Sequence, residues 1–287
     1  MLNDTPEIQD KADVKRVDPA AVKGRIVFEN VSFGYRDKQG KPVARALENI
    51  NLTIEPGETV GFLGATGSGK SSLVNLIPRF YDVADGRITI DGIDVRDIPQ
   101  KQLHKLVAVA LQESVLFTGT VRGNVLMGNP KADDDTMLDA AQAADADSFV
   151  SGIPGEYDAA VSRRGANFSG GQRQRLSIAR ALATDPHILI LHDSTSALDM
   201  ATEAFVQGAV EEKFGKATKL YVAQRISTVL TADKIVLLDG GKQVAVGNHR
   251  ELVQQSQLYR DICISQLGMV PQLQDEPTTA SNQEVKA

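Results

Sequence analysis

TVGFLGATGSGKS, at residues 59–71, joins a short apolar run to a glycine-rich turn that ends in lysine and serine. The apolar run, Thr59–Leu63, has the length and composition of a strand that is buried on both faces. The turn at residues 64–71 matches the spacing G-x4-G-K-[S/T], in which glycines allow successive backbone N–H groups to face one anion. The sequence therefore predicts a strand, a phosphate-binding loop and a helix that begins near Lys70.

The residue types in this turn suit the phosphates of a nucleotide. Lys70 can reach the outer phosphates, the hydroxyl of Ser71 can bind Mg²⁺, and the following helix adds its positive N-terminal end. A plain glycine-rich connector is the alternative interpretation. A chance match that has a strand before it and a helix after it is rarer than a chance match of the motif alone. The predicted phosphate-binding residues are Gly64, Ala65, Thr66, Gly67, Ser68, Gly69, Lys70, Ser71 and Ser72.

Apolar periodicity along the rest of the chain predicts an α/β fold. Residues 25–33 and 47–54 alternate apolar and polar side chains, as the strands of a half-buried antiparallel β-subdomain do. Residues 130–150 predict helices without strands, within an inserted helical subdomain at about 115–184. Further short apolar runs are typical of a buried, mostly parallel sheet, and they lie at residues 59–63, 87–90, 187–191, 220–223 and 234–238.

Composition restricts the classes of protein to which the chain can belong. A chain of 287 residues, 42% of them hydrophobic, can bury a core without disulfide or metal staples. The single cysteine, Cys263, excludes an internal disulfide framework and a cysteine-cluster metal site. No apolar run approaches the ~18 residues of a membrane span. The net charge of −6 argues against a nucleic-acid surface.

The composition shifts only near the two ends of the chain. Residues 1–23 are polar and are predicted to form a linker or arm, and residues 24–267 one continuous domain. Residues 268–287 are predicted to be a disordered tail, because they have too little apolar surface to offset chain entropy.

A second motif, NFSGGQRQRL, opens a predicted amphipathic helix at residues 167–176. In isolation, SGGQ could be an ordinary helix cap followed by a basic face. Downstream of a phosphate loop, it resembles the signature motif of the nucleotide-binding domain of ABC transporters. The resemblance covers roughly residues 25–267, and its signature residues are Phe168, Ser169, Gly170, Gly171 and Gln172.

The resemblance implies an ATP- and Mg²⁺-binding domain with a phosphate-loop NTPase core of the RecA-like type. It places Tyr35 where a family aromatic stacks on adenine, although a surface tyrosine at a strand end is the alternative. It places Gln112 in the loop that can touch Mg²⁺ or the attacking water and that couples to a membrane domain. Ser196, Ala197, Leu198 and Asp199 match the loop that lines the interface between paired domains, where a plain helix N-terminus is the alternative.

The chain departs from the family where the family reads Asp-Glu-Ala-Thr-Ser-Ala-Leu-Asp. Residues 192–199 read HDSTSALD, which puts His192 at the position of the metal-side aspartate and Asp193 at that of the water-activating glutamate. A neutral imidazole supplies no anion to the metal, and aspartate is shorter than glutamate by one methylene. A rival register would make Asp193 the metal-side acid and Ser194 the base position, and it too lacks the glutamate.

Two further positions differ from the family. Gln224 stands where the switch loop normally carries histidine, and it cannot exchange a proton near neutral pH. Transport members usually carry Gly-Glu in the loop before the signature, where residues 162–165 of this chain read SRRG, so Arg163 reverses the expected charge. The signature itself is intact.

In this family two cassettes pair head to tail, and each ATP lies between one phosphate loop and the other chain's signature. The chain therefore resembles the degenerate half of a heterodimeric exporter of the multidrug or lipid type, with weak hydrolysis at its own site. The resemblance implies a second nucleotide-binding domain and a transmembrane domain as partners, at the cytoplasmic face of a membrane. A self-sufficient homodimeric transport ATPase and a soluble ABC ATPase without a transport role are the alternatives.

Overall fold

The fold is built on two β-sheets, of which one is mostly parallel and the other is antiparallel. The computed structural model describes residues 8–37 and 42–269. The strands are β1 (Ile26–Arg36), β2 (Pro42–Ile54), β3 (Thr59–Leu63), β4 (Asp85–Ile90), β5 (Ile93–Asp94), β6 (Val107–Ala110), β7 (Gly119–Thr120), β8 (Ala160–Val161), β9 (Ile188–His192), β10 (Thr218–Val222), β11 (Lys234–Asp239) and β12 (Lys242–Gly247). The α-helices are α1 (Lys70–Leu76), α2 (Gln100–Leu106), α3 (Val121–Val125), α4 (Asp134–Ala143), α5 (Asp147–Val150), α6 (Gly170–Leu182), α7 (Met200–Phe214), α8 (His249–Gln255) and α9 (Gln257–Leu267).

The larger sheet has six strands in the order β12-β11-β3-β10-β9-β6. All neighbouring pairs are parallel except β11 and β12. The glycine-rich turn follows β3, which lies inside the sheet between β11 and β10. Because parallel strands end at the same edge, the loops after β3, β6, β9 and β10 lie together there, where α/β folds bind their ligands.

The smaller sheet is antiparallel, in the order β2-β1-β4-β5. Its β1–β2 pairing confirms the predicted antiparallel element. The prediction for residues 87–90 was wrong, since this run belongs to β4 and pairs antiparallel with β1, Ile26 lying opposite Ile90. The edge strand of the larger, mostly parallel sheet, next to β9, is β6. A short run with two isoleucines predicts a partly buried strand but carries no information on the direction of its partner strand.

The strands of the parallel sheet are buried on both faces, as their continuous apolar runs predict. In β9, Ile188 and Ile190 face a core shared with the antiparallel sheet. Leu189 and Leu191, which alternate with them, face a second core on the side of the helices. This two-sided burial holds the loops at the end of the sheet on a rigid support.

Helices dominate residues 115–184, and α4 and α5 confirm the predicted helices within residues 130–150. Small buried side chains, including Ala140 on α4 and Ala179 on α6, pack in the helix-side core. The two-residue strands β7 and β8 pair within the same segment, which the helical prediction did not include. The N-cap of α6 is Ser169, so the helix begins at the motif that predicted it.

The described part of the N-terminal arm lies against the domain. The backbone N–H of Lys15 donates to the carbonyl of Asp97 at 2.6 Å, and that of Val17 donates to Gln102 Oε1 at 2.9 Å. The tail predicted at residues 268–287 lies outside the described residues from position 270 onward, and its first residue, Gly268, is the C-cap of α9. Within residues 8–37 and 42–269, none of the helices combines the length and apolar character needed to cross a bilayer.

Candidate nucleotide-binding site

Two glycines of the turn between β3 and α1 are required by the backbone. Gly64 has a φ of 153°, and a Cβ atom at this position would lie 2.2 Å from the carbonyl oxygen of Leu238. Gly69 has a φ of 103° as the N-cap residue of α1. A residue with a side chain would be strained at both positions. The glycines of the phosphate-loop motif therefore give the turn its shape.

The ammonium group of Lys70 lies under the turn. Its Nζ donates to the carbonyl oxygens of Gly64 at 2.7 Å and Ala65 at 3.0 Å, and the side chain is buried. Burial lowers the pKa of Lys70, while the charge of Asp193 opposes that shift. An ammonium group held against this turn can bind the outer phosphates of a nucleotide.

His192 contacts the first turn of α1 from the end of β9. It is the last residue of β9, it is 8% exposed, and its Nε2 lies 2.7 Å from the Oγ of the exposed Ser71. Burial lowers the pKa of the imidazole, and the charge of Asp193 partly offsets that effect. In the neutral ring, Nε2 can accept the hydroxyl proton of Ser71. The side chain facing Ser71 is therefore a nitrogen donor without charge.

Asp193 follows in a strained backbone conformation. Its φ is 46°, in the left-handed region that aspartate adopts more often than most residues, and its N–H donates to the carbonyl of Val222 at 2.8 Å. The strand pairing thus continues one residue beyond β9 and holds the carboxylate close enough to influence both Lys70 and His192. Among the described residues, the buried hydroxyl of Ser194 has no hydrogen-bond partner.

Gln224 lies beside the glycine-rich turn. It is exposed and lines a cavity of about 320 Å³ together with Gly64, Ala65 and Thr66. The side chain of Gln266 on α9 donates to the carbonyl of Gln224 at 2.8 Å. The C-terminal helix therefore fixes the backbone of the loop that presents Gln224 to the turn.

Tyr35 contacts the first turn of α1 through Ser72. Its hydroxyl is 3.0 Å from Ser72 Oγ, and its ring makes edge-to-face contacts with Phe33 and Tyr81 at centroid distances of 5.0 Å and 5.5 Å. The ring is 36% exposed, so part of it can contact a flat base. Tyr81 was not predicted as part of this cluster, because nothing in its sequence surroundings distinguishes it.

The signature residues form a second cluster at the start of α6. Ser169 and Gln172 make a capping box, in which Gln172 N donates to Ser169 Oγ at 3.2 Å and Ser169 N donates to Gln172 Oε1 at 2.9 Å. Gln112 lines a cavity of about 510 Å³ with Gly170 and Ala197. The structure thus places Gln112 beside the signature, whereas the cavity at residues 64–66 is lined by Gln224.

The loop from Ser196 to Asp199 connects this second cluster to α7. Gln174 on α6 accepts from Ala197 N at 2.9 Å, and its amide donates to Ser196 Oγ at 3.3 Å. Asp199 is the N-cap residue of α7 and accepts from Thr202 N, which lowers the pKa of the Asp199 carboxyl. The structure shows a helix N-terminus at Asp199, and the place of Ser196–Asp199 at an interface between paired domains stays a prediction.

Sequence reasoning missed a buried carboxylate beneath the site. Glu203 on α7 is 5% exposed, and its Oε1 accepts from the hydroxyls of Thr195 and Thr228 at 2.7 Å each. Arg225 approaches the other oxygen at 3.5 Å and donates to the carbonyls of Thr195 and Ser196. This network joins the loop after β9 to the loop after β10. A glutamate in the first turn of a helix is usually exposed to solvent, so nothing in the sequence identified Glu203 as buried.

The side-chain donor atoms of Ser71 and His192 match the ligand preference of Mg²⁺ only in part. Mg²⁺ prefers oxygen ligands, often one or two carboxylates beside substrate phosphates. The Ser71 hydroxyl fits this preference, whereas the imidazole of His192 does not. Within residues 8–37 and 42–269, no group of three or more His, Cys, Asp or Glu side chains could hold a metal ion.

Comparison with known proteins gives consistent matches. The family model described as "ABC transporter" matches residues 47–196. A "Putative multidrug export ATP-binding/permease protein" of Staphylococcus aureus strain NCTC 8325 is 44% identical over 259 residues, which are 89% of this chain and 44% of the relative. The corresponding protein of the bovine strain RF122 is 43% identical over the same length. The chain thus spans less than half the length of the curated relatives it matches.

One solved structure shares the fold. It is the structure of a bacterial Atm1-family ABC exporter with ATP bound, which matches with a TM-score of 0.84 and 31% identity over 97% of this chain and 45% of that chain. The predicted α/β fold with a phosphate-loop NTPase core is confirmed.

Proposed function

This chain belongs to the ABC transporter family, and we propose that it is the ATP-binding domain of an exporter, coupling ATP binding and hydrolysis to transport through a membrane-spanning part. The observation that carries the proposal is the turn at residues 64–71, with Lys70 beneath it and Ser71 exposed at the start of α1. In this proposal, residues 24–267 form the nucleotide-binding domain, with a helical subdomain at about 115–184. The domain works at the cytoplasmic face of a membrane.

We further propose that the chain's own site holds Mg·ATP but hydrolyses it poorly. The contact between His192 Nε2 and Ser71 Oγ supports the register that places His192 at the metal-side position. Loss of an acid that supports a metal typically costs ~10–100-fold in metal affinity or activity. The shorter Asp193 and the non-titrating Gln224 act in the same direction, since a displacement of about 1 Å can cost on the order of a hundredfold in rate.

The intact signature points to a partner. In this proposal, residues 168–172 complete the ATP site of a second nucleotide-binding domain whose phosphate loop and glutamate carry out hydrolysis. The capping box that fixes Ser169 and Gln172 leaves Ser169 and Gly170 exposed at the start of α6, where they are accessible to a partner. An intact signature beside an altered hydrolytic site is what a heterodimer with one active site requires.

The test measures nucleotide binding and phosphate release on the same purified chain. We expect binding of Mg·ATP, and release at least about a hundredfold slower than in a variant that combines His192→Asp, Asp193→Glu and Gln224→His. Lys70→Ala is the control for contaminating ATPase. Brisk release by the unmodified chain that disappears in Lys70→Ala would contradict the degenerate site and favour a self-sufficient homodimer. Failure to bind ATP would contradict the proposed function as a whole.

A further inference from the structure

A glutamine on α9 binds the loop after β10 through both polar atoms of its amide. Gln266 Oε1 accepts from the backbone N–H of Ile226 at 2.8 Å, and Gln266 Nε2 donates to the backbone carbonyl of Gln224 at 2.8 Å. The partners determine the orientation of the amide, because a backbone N–H can only donate and a carbonyl can only accept. The two bonds hold the backbone on both sides of Arg225.

The first of these bonds takes the place of a helix cap. A 3₁₀ turn at Ile226–Thr228 begins after Arg225, which is its N-cap residue. The first N–H groups of a helical turn have no partner inside the turn, and an arginine side chain has no acceptor atom with which to cap them. Gln266 supplies the acceptor from a different element, so the start of this turn depends on α9.

The second bond acts at the residue where the chain leaves the sheet. The N–H of Ala223 donates to the carbonyl of Phe62 on β3 at 3.2 Å, which continues the strand pairing one residue past the end of β10. Gln224 is the next residue, and its carbonyl accepts from Gln266. The amide of Gln266 therefore restrains the backbone from which the Gln224 side chain projects.

One face of α9 lies toward the glycine-rich turn. Leu258, Ile262 and Gln266 are spaced by four residues, which places them on the same face of the helix. All three line the cavity of about 320 Å³ that Gln224 and residues 64–66 also line. The helix thus contacts the loop after β10 and closes one side of the cavity next to the turn.

The opposite side of α9 fixes the helix in the domain. Tyr259 and Cys263 are fully buried in the helix-side core. The hydroxyl of Tyr259 lies 2.7 Å from Nδ1 of the buried His249 on α8. Gln266 is therefore presented by a packed helix.

The position of Gln224 suits contact with the terminal phosphate of a nucleotide. The backbone N–H groups of a phosphate loop surround the inner phosphates, and its lysine reaches the outer ones. Because β3 and β10 are neighbours in the sheet, the loop after β10 lies beside the part of the nucleotide that extends from the turn. A side-chain amide can donate to a phosphate oxygen, and a charged acceptor makes that hydrogen bond stronger.

We propose that Gln266 is a positioning residue for nucleotide binding, which holds the backbone at Gln224 so that the Gln224 amide donates to the terminal phosphate of ATP. Because ADP lacks that phosphate, Gln266 strengthens the binding of ATP and not that of ADP. This inference rests on the proposed nucleotide-binding function.

The test measures the dissociation constants of Mg·ATP and Mg·ADP for the whole chain and its variants by isothermal titration calorimetry. Gln266→Met keeps the length of the side chain and removes both hydrogen bonds. It should weaken Mg·ATP binding about threefold to tenfold and change Mg·ADP binding by less than about twofold, because it loosens one hydrogen bond to a charged group. Gln224→Ala removes that hydrogen bond, and should weaken Mg·ATP binding about tenfold or more.

A double variant decides whether Gln266 acts through Gln224. In the Gln224→Ala background, Gln266→Met should have no further effect on Mg·ATP binding, since the group that it positions is already gone. Gln255→Met is the matched control, because Gln255 is an exposed glutamine on the neighbouring helix α8, and it should leave both dissociation constants unchanged. Circular dichroism shows that each variant is folded at the temperature of the titration.

The outcomes separate this inference from the function on which it rests. Equal weakening of Mg·ATP and Mg·ADP binding in Gln266→Met would mean a general effect on the fold and would overturn the positioning role, as would no change in either. Unchanged Mg·ATP binding in Gln224→Ala, or an effect of Gln266→Met that persists in that background, would overturn the action through Gln224. Failure of the unmodified chain to bind ATP would overturn the proposed function, and the positioning role with it.

Discussion

Replacing Glu203 by alanine removes the group on which the loops after β9 and β10 converge. The carboxylate is buried and accepts from the hydroxyls of Thr195 and Thr228 at 2.7 Å each. Hydrogen bonds to a charged group contribute about 1.5–3 kcal/mol each, and both hydroxyls would be left unpaired. Arg225 contributes less to stability, because its side chain is 39% exposed and its guanidinium lies 3.5 Å from the Glu203 carboxylate.

The carboxylate also bears a cost of burial, which its removal relieves. We therefore expect Glu203→Ala to lower the free energy of unfolding by about 3–4 kcal/mol, which is the loss of the two hydrogen bonds less the relieved cost of burial. Glu203→Gln keeps one carbonyl oxygen as an acceptor, and should cost about 1–2 kcal/mol.

The assay is equilibrium unfolding in urea, followed by far-ultraviolet circular dichroism. Glu212→Ala is the matched control, because Glu212 lies on the same helix and is exposed, and its loss should change the free energy by less than about 0.5 kcal/mol. A double-mutant cycle of Glu203→Ala with Thr195→Val should give a coupling energy of about 1–3 kcal/mol.

A loss below about 1 kcal/mol in Glu203→Ala, or a coupling energy near zero, would refute the reasoning. Either result would mean that the hydroxyl of Thr195 is satisfied equally well without the carboxylate. The two loops would then be held in place by the apolar core alone.

Other predictions concern the same region and the signature. Ser194→Ala should raise the free energy of unfolding by about 1 kcal/mol, because it removes a buried hydroxyl without a partner among the described residues; a loss in urea unfolding would contradict this. Ser169→Ala should cost about 1 kcal/mol through the lost N-cap of α6, and an unchanged urea midpoint would contradict it. Burial holds the pKa of His192 below its ordinary 6.5, so the unfolded chain takes up the proton first as the pH falls. Stability should therefore decrease as the pH drops from 6.5 through the folded pKa, with a steeper slope than in His192→Gln; equal slopes would contradict this.

Local structure was largely predictable from the sequence. The turn at residues 64–71 demands glycine conformations that only such a sequence supplies, and Ser169 marks the start of α6 through its own hydrogen bonds. The roles of the individual site residues stay predictions. The direction of β4 was predicted wrongly, and β6 and Glu203 were not predicted, because a short apolar run or a single acidic residue does not identify its partners.

The sequence by itself determined what each segment does with its neighbours along the chain. Apolar periodicity, glycine positions and helix caps depend on a few consecutive residues. These local patterns predict the strands, the turn and the starts of the helices. The tertiary structure alone decided which distant residues meet. Ser71 and His192 are separated by 121 positions in the chain, and they touch because β3 and β9 both pair with β10 in one parallel sheet. Such contacts depend on closing long loops and packing two cores at once, which no local pattern encodes.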